Sequence, residues 1–369
     1  MSTSSRSSGA IPLESKHEAG STEGLARAYL GFVRRRKWTL WLLRTPLLAP
    51  LAALVVASCG SSGDSGEDAP EPGWSDLASL PLGVRQEHPT IALAGEVVVI
   101  GGLDGAVNVL DTMEAYDPAA DAWRTDVARL PAEMHHANAA VVGERLWITG
   151  FLEDLAFAPN GGVFSYDPEV DRWDESATMP AGTERGASAV GVLGERILVA
   201  GGLRGGTVAD FSAFDPASDT WEPLADLPEP RDHAGAGVVD GIFYVLGGRA
   251  NGITSRSAAV FAWDPETRAW SRRADMPTAR GGVASAVLNG RIYVFGGEGN
   301  RTPPVTTGVF PQVEVYDPAS DSWESLPPMP HPRHGLGAAA LGGRIFLPGG
   351  ADREGFGPVS LVDALVPDP

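Results

Sequence analysis

Residues 292–297 read Ile-Tyr-Val-Phe-Gly-Gly, and residues 316–323 read Tyr-Asp-Pro-Ala-Ser-Asp-Ser-Trp. The first stretch is a short apolar run, suited to a strand covered on both faces. The glycine pair lets the chain turn sharply, with positive φ where needed. Asp-Pro after an aromatic starts a turn. The Asp side chain caps it, and proline, having no N–H, ends the strand's pairing. The tryptophan offers a large apolar area for packing against a neighbouring unit.

The same markers recur in phase from Trp74 onward. Gly-Gly stands at 101–102, 201–202, 247–248, 296–297 and 349–350, and Thr149-Gly150 fills the one imperfect slot. The second glycines lie 48, 52, 46, 49 and 53 residues apart. Aromatic-Asp-Pro begins at Tyr116, Tyr166, Phe214, Trp263 and Tyr316, and Trp123, Trp173, Trp221, Trp270 and Trp323 follow. A period near 50 with three markers in phase resembles kelch repeats, which form the blades of a β-propeller. The resemblance covers residues 74–369. WD-type repeats would instead carry Trp-Asp at strand ends.

The fold expected is therefore all-β, a six-bladed kelch-type propeller over 74–369. Trp74 precedes the first glycine pair and no tryptophan follows the last. The N-terminal segment is thus expected to supply the outer strand of the blade whose inner strands are C-terminal, closing the ring without an exposed edge. The last blade should use Arg344 to Leu347 and roughly Pro358 to Val366.

Ahead of the repeats, residues 1–32 are polar and aperiodic, and read as a mis-called or disordered extension. Arg34-Arg35-Arg36-Lys37 and an apolar run from Leu47 to Ala57 form a signal segment over 33–58. Val56-Ala57-Ser58-Cys59 resembles the lipobox of bacterial lipoproteins, which implies lipidation of Cys59. Residues 59–73 read as a flexible tether. Arg44, Pro46 and Pro50 make 38–57 a poor membrane span. The expected place is the cell envelope, with the outer membrane or cell surface favoured. Residues 59–369 hold 20 Arg, no Lys and 44 acids, which argues against nucleic-acid binding. Cys59 is the only cysteine, so neither an internal disulfide nor a Cys-based metal cluster can form.

A propeller presents its ligand surface on the loops of one face. Ten residues before the glycines that open each strand pair (95, 143, 194, 241, 290 and 343) stand Arg85, Glu133, Glu184, Arg231, Arg280 and Arg333. These six are the candidate ligand-binding residues. The arginines follow the repeat and also suit a purely structural role, bonding carbonyls or pairing with carboxylates. The two glutamates break the pattern. His88, His135, His136, His233 and His334 lie nearby. His135-His136 beside Glu133 is the best metal candidate, yet adjacent side chains on a strand face opposite ways. No metal and no cofactor are expected.

Two readings follow. The favoured one is a lipid-anchored envelope propeller that binds a protein or glycan without catalysis. The alternative is a sugar mutarotase or epimerase, similar to periplasmic kelch enzymes acting on sialic acid, with Glu133 or Glu184 and His136 or His233 as acid and base. Galactose-oxidase-like chemistry is excluded, because its Tyr–Cys crosslink needs a cysteine in the blades.

Overall fold

The structure, a computed structural model, describes residues 71–368. The extension, the signal segment, Cys59 and most of the tether lie outside the described residues. Within them, twenty-four strands form six four-stranded antiparallel sheets. Blade 1 holds Thr90–Leu93, Glu96–Ile100, Met113–Asp117 and Ala122–Arg124, from the inner strand to the outer. Blades 2 to 5 repeat that order over 139–176, 189–223, 235–273 and 284–326.

Blade 6 is composite. Its inner strands are Ala339–Leu341, Arg344–Pro348 and Val362–Val366, and its outer strand is Gly73–Asp76 from the other end of the chain. Trp74 pairs with Leu365 and Asp76 with Asp363. The ring therefore closes as expected, with four strands in every blade.

The second strand of each blade is the apolar run of the repeat, and it is buried on both faces because apolar clusters fill every gap between neighbouring blades. Ile100, Leu146 and Ile148 meet between blades 1 and 2, Val245 and Ala213 between blades 3 and 4, and Val97 and Phe346 between blades 6 and 1. The core is thus six interblade layers.

The repeat markers tie these layers together. Each Asp of the Asp-Pro pair caps its turn: Asp117 accepts from the Ala119 N–H at 2.9 Å and Asp264 from Glu266 at 2.8 Å. The Trp123 indole N–H donates to the Ala78 carbonyl at 2.7 Å, and Trp323 does the same to Ala274 at 2.9 Å. A further aspartate, two residues before the tryptophan, completes the join. Asp321 accepts both from Tyr316 Oη at 2.6 Å and from the Ala274 N–H at 2.9 Å.

The glycine pairs do more than turn. Gly248 donates to the Arg280 carbonyl of the next blade at 2.8 Å, and a Cβ on Gly247 (φ 63°) would stand 2.8 Å from that same oxygen. In blade 2, where the pair is Thr149-Gly150, the strand runs on to Leu152 through a bulge. There the Asn138 side-chain amide fills in, donating to the Thr149 and Arg185 carbonyls at 2.9 Å each.

Candidate functional site

The loops that enter the inner strands share one face with the loops after the glycine pairs. Three successive residues of each entering loop form the frame of the site. The middle one makes an isolated antiparallel bridge to the loop after the glycines: Gln86 to Leu103, His135 to Leu152, Gly186 to Leu203, Asp232 to Arg249, Gly281 to Glu298 and His334 to Ala351. The residue before it is Arg85, Met134, Arg185, Arg231, Arg280 or Arg333. The residue after it is Glu87, His136, Ala187, His233, Gly282 or Gly335.

This frame corrects the sequence alignment in two blades. The inner hairpins of blades 1, 4, 5 and 6 turn on two residues with positive φ, such as Asn289-Gly290, so the glycine comes second. In blades 2 and 3 only Gly143 and Gly194 have positive φ, and the glycine comes first, as a II′ turn requires. Counting back from glycine therefore landed one residue early. Arg185, not Glu184, is the third arginine of the column, and Met134, not Glu133, stands in blade 2.

The arginines face into the blades rather than into a ligand cavity. Arg85, Arg280 and Arg333 are fully buried and pair with Glu114 (2.7 Å), Glu314 (2.7 Å) and Asp363. They also donate to the carbonyl of the first glycine of their own blade, as Arg280 does to Gly296 at 2.7 Å. Arg185 donates to the Gly201 and Val199 carbonyls. Arg231 pairs with Glu229. Glu133 is exposed, and Glu184 accepts from the Gly182 N–H at 2.8 Å. None of these side chains lines the central cavity. Of the residues named for acid–base work, only His136 and His233 come together.

What surrounds the axis is the last residue of each frame. Glu87, His136, Ala187, His233, Gly282 and Gly335 all adopt left-handed φ, from 51° to 69°. Each N–H donates to the carbonyl of the preceding one, at 2.6 to 3.1 Å, so six backbone hydrogen bonds close a circle around the axis. Glycine takes this conformation freely; for the other four it costs about 1–2 kcal/mol each.

Three of those costly positions carry side chains that meet. His136 Nε2 lies 3.0 Å from Glu87 Oε2 and 2.9 Å from His233 Nε2. His233 Nδ1 is 2.6 Å from Asp232 Oδ1. His135 and His136 bring their Nδ1 atoms into contact, and His135 Nε2 lies 2.9 Å from the Asp154 carbonyl. The expectation that these two neighbours face apart fails because His136 has left-handed φ and is not in a strand. Arg249 joins the group, 3.0 Å from His233 Nε2 and 3.1 Å from Asp232, and also pairs with Glu298.

Burial alone would raise the Glu87 carboxyl. The imidazoles of His136, His233 and His334 outweigh it and hold the group well below the usual carboxylate range. For His233 burial and the Arg249 charge lower the pKa, against the pull of Asp232. Burial lowers His135 to about 4. The cluster sits at one end of an axial cavity of about 220 Å³, lined further in by small residues such as Ala137, Ser188, Ala236 and Ser285. Glu87 and Asp232 were not among the sequence candidates. Their signal was their place: two and one residues after an arginine of the column.

Comparison with known proteins follows the same pattern. The KLHDC2/KLHL20/DRC7 Kelch-repeats domain matches residues 163–350, and the Kelch motif matches 85–125. Kelch-like protein terF of Aspergillus terreus is 35% identical over 339 residues, 86% of this chain and 73% of that protein. Kelch-like protein 35 of Mus musculus is 34% identical over 176 residues, 48% of this chain but only 29% of its own length. The solved structure of YjhT superposes with a TM-score of 0.64, covering 78% of this chain and 99% of that one at 15% identity, a likeness of fold alone.

Proposed function

The chain belongs to the kelch-repeat β-propellers, and we propose that it works as a protein-binding module held at the cell envelope by a lipid on Cys59. Kelch propellers are typically protein-binding. One observation carries the reading for this chain. Among the described residues, eight large hydrophobic side chains are exposed, and seven of them lie on the loop face that bears the Glu87–His136–His233 group. Leu82 and Val84 lie in the loop entering blade 1, Val107 in the next loop of that blade, Leu155 and Phe157 in blade 2, and Phe356 and Leu361 in blade 6. All seven therefore come from three neighbouring blades. Only Val170 lies on the opposite face. Exposed apolar side chains scattered singly need no explanation, but seven gathered on one side of one face fit a partner's apolar surface. Phe157 packs edge-on to His135 with centroids 5.3 Å apart, which joins the apolar half of the face to the polar centre.

Photocrosslinking tests the reading. A crosslinking residue at Phe157 or Phe356 is expected to trap a discrete envelope protein that the same residue at Val170 does not. Equal or absent crosslinking from all three positions sinks it. The anchor is tested separately: Cys59→Ala should move the protein from the membrane to the soluble fraction, and an unchanged membrane fraction rules out lipidation there.

A further inference from the structure

We propose that Glu87, His136 and His233 form a binding site for a divalent first-row transition metal, with zinc as its representative. Glu87 Oε2, His136 Nε2 and His233 Nε2 form a triangle with edges of 3.0, 2.9 and 4.0 Å. A tetrahedral zinc ion bound at 2.0–2.2 Å sets its donors about 3.3 Å apart, within that range. Two imidazoles and a carboxylate, with room left beside them, are the donor set of an open site rather than a closed structural one.

Proton accounting points the same way. The Asp232 carboxylate can only accept, so His233 Nδ1 carries a hydrogen toward it and Nε2 presents a lone pair. The Asp154 carbonyl likewise requires the His135 hydrogen on Nε2, which leaves His135 Nδ1 as an acceptor. His136 must then donate from Nδ1 to His135, so that in its neutral tautomer Nε2 presents a lone pair. In that tautomer the lone pairs of Glu87, His136 and His233 converge within 4.0 Å, a set that a metal ion can bridge once Arg249 leaves His233 Nε2. His334, fully buried, has an Nδ1 without a hydrogen-bond partner that lies between two carboxyls, 3.6 Å from Glu298 Oε2 and 3.8 Å from Glu87 Oε1.

The surroundings supply what a metal site needs. Both imidazoles are oriented through their other nitrogen, His233 by Asp232 and His136 by His135. Imidazoles aside, three carboxylates (Glu87, Asp232 and Glu298) face the single guanidinium of Arg249, a balance of −2 that favours a divalent ion. Arg249 Nη2 contacts His233 Nε2 at 3.0 Å and would have to release it. Its pairs with Asp232 and Glu298 hold it nearby when it does. The axial cavity leaves space for a water or a partner's side chain as the fourth ligand.

The test is calorimetric titration of the chelator-treated full chain with Zn²⁺. One zinc per chain is expected. His136→Asn and His233→Asn, which keep a residue tolerant of left-handed φ, should each weaken binding by ~100-fold or more. Asp232→Asn should cost roughly 10- to 100-fold, as the loss of an orienting carboxylate does. His331→Asn, in the separate Asp76–His331–Asp363 group, should change nothing. Absence of stoichiometric zinc in the parent, or binding that survives both histidine variants, overturns the site. Should those variants fail to fold, Co²⁺ added to the parent decides: the intense visible bands of four-coordinate cobalt are expected, and the pale spectrum of six-coordinate cobalt on surface carboxylates overturns the proposal.

Discussion

Arg280 shows what a single repeat residue does here. Its guanidinium pairs with Glu314 at 2.7 Å and donates to the Gly296 and Gln312 carbonyls, all away from water. Arg280→Ala would leave Glu314 buried without its partner, at a cost of about 3–5 kcal/mol. Denaturant unfolding should show this as a lower midpoint. Glu133→Ala, at an exposed position, should shift stability by less than about 0.5 kcal/mol. The contrast also measures how much of the site the sequence revealed. His136 and His233 were visible as histidines near the arginine column, and four of the arginines were counted correctly. Glu133 and Glu184 entered only because two hairpins place glycine first in the turn. That difference is one residue in a two-residue turn, and the spacing of apolar strands does not record it. Glu87 was hidden for another reason. It looks like any surface acid until the backbone circle puts it beside His136.

At the scale of the element, the glycine pairs are the joints between blades. They were legible because two needs coincide there, a left-handed φ and a close approach to the next blade's carbonyl. Gly247→Ala meets both penalties, with φ at 63° and a Cβ 2.8 Å from the Arg280 oxygen. A residue forced into such a conformation costs about 1–3 kcal/mol. At roughly 2 °C per kcal/mol for a domain this large, the melting temperature should fall by about 2–6 °C. An unchanged melting curve would mean the joint can open without loss. The aspartate two residues before the tryptophan of blades 1, 2, 3 and 5 has no such signal, although Asp121, Asp171, Asp219 and Asp321 accept backbone N–H groups across the blade join. Turn acids are common in any sequence, and only the fold shows which of them reach a neighbour.

The whole molecule keeps several histidines dry, and this sets its response to acid. Burial, helped by the Arg85 charge, lowers His88 to about 3, and burial lowers His135 to about 4. In the unfolded chain both would titrate near 6.5. Their contribution is therefore complete above about pH 6.5 and is lost as pH falls below it, because the unfolded chain then binds protons that the fold refuses. Each histidine steepens the loss by up to about 1.4 kcal/mol per pH unit. Unfolding free energies measured between pH 6.5 and 5 should fall accordingly. In His88→Gln the slope should be shallower by one proton, and an identical slope would show that His88 takes up its proton within the fold.

The composite blade has a consequence for how the protein is made. Gly73–Asp76 leaves the ribosome early, yet its only partner strand, Val362–Val366, is synthesised about 290 residues later. At 5–20 residues per second that is a wait of roughly 15–60 s. Throughout it, the Trp74 strand is a sticky edge on a nascent chain, while five complete blades assemble behind it. The clasp that makes the finished ring seamless is therefore the last thing to shut, and its vulnerability belongs to the chain's birth rather than to its mature life.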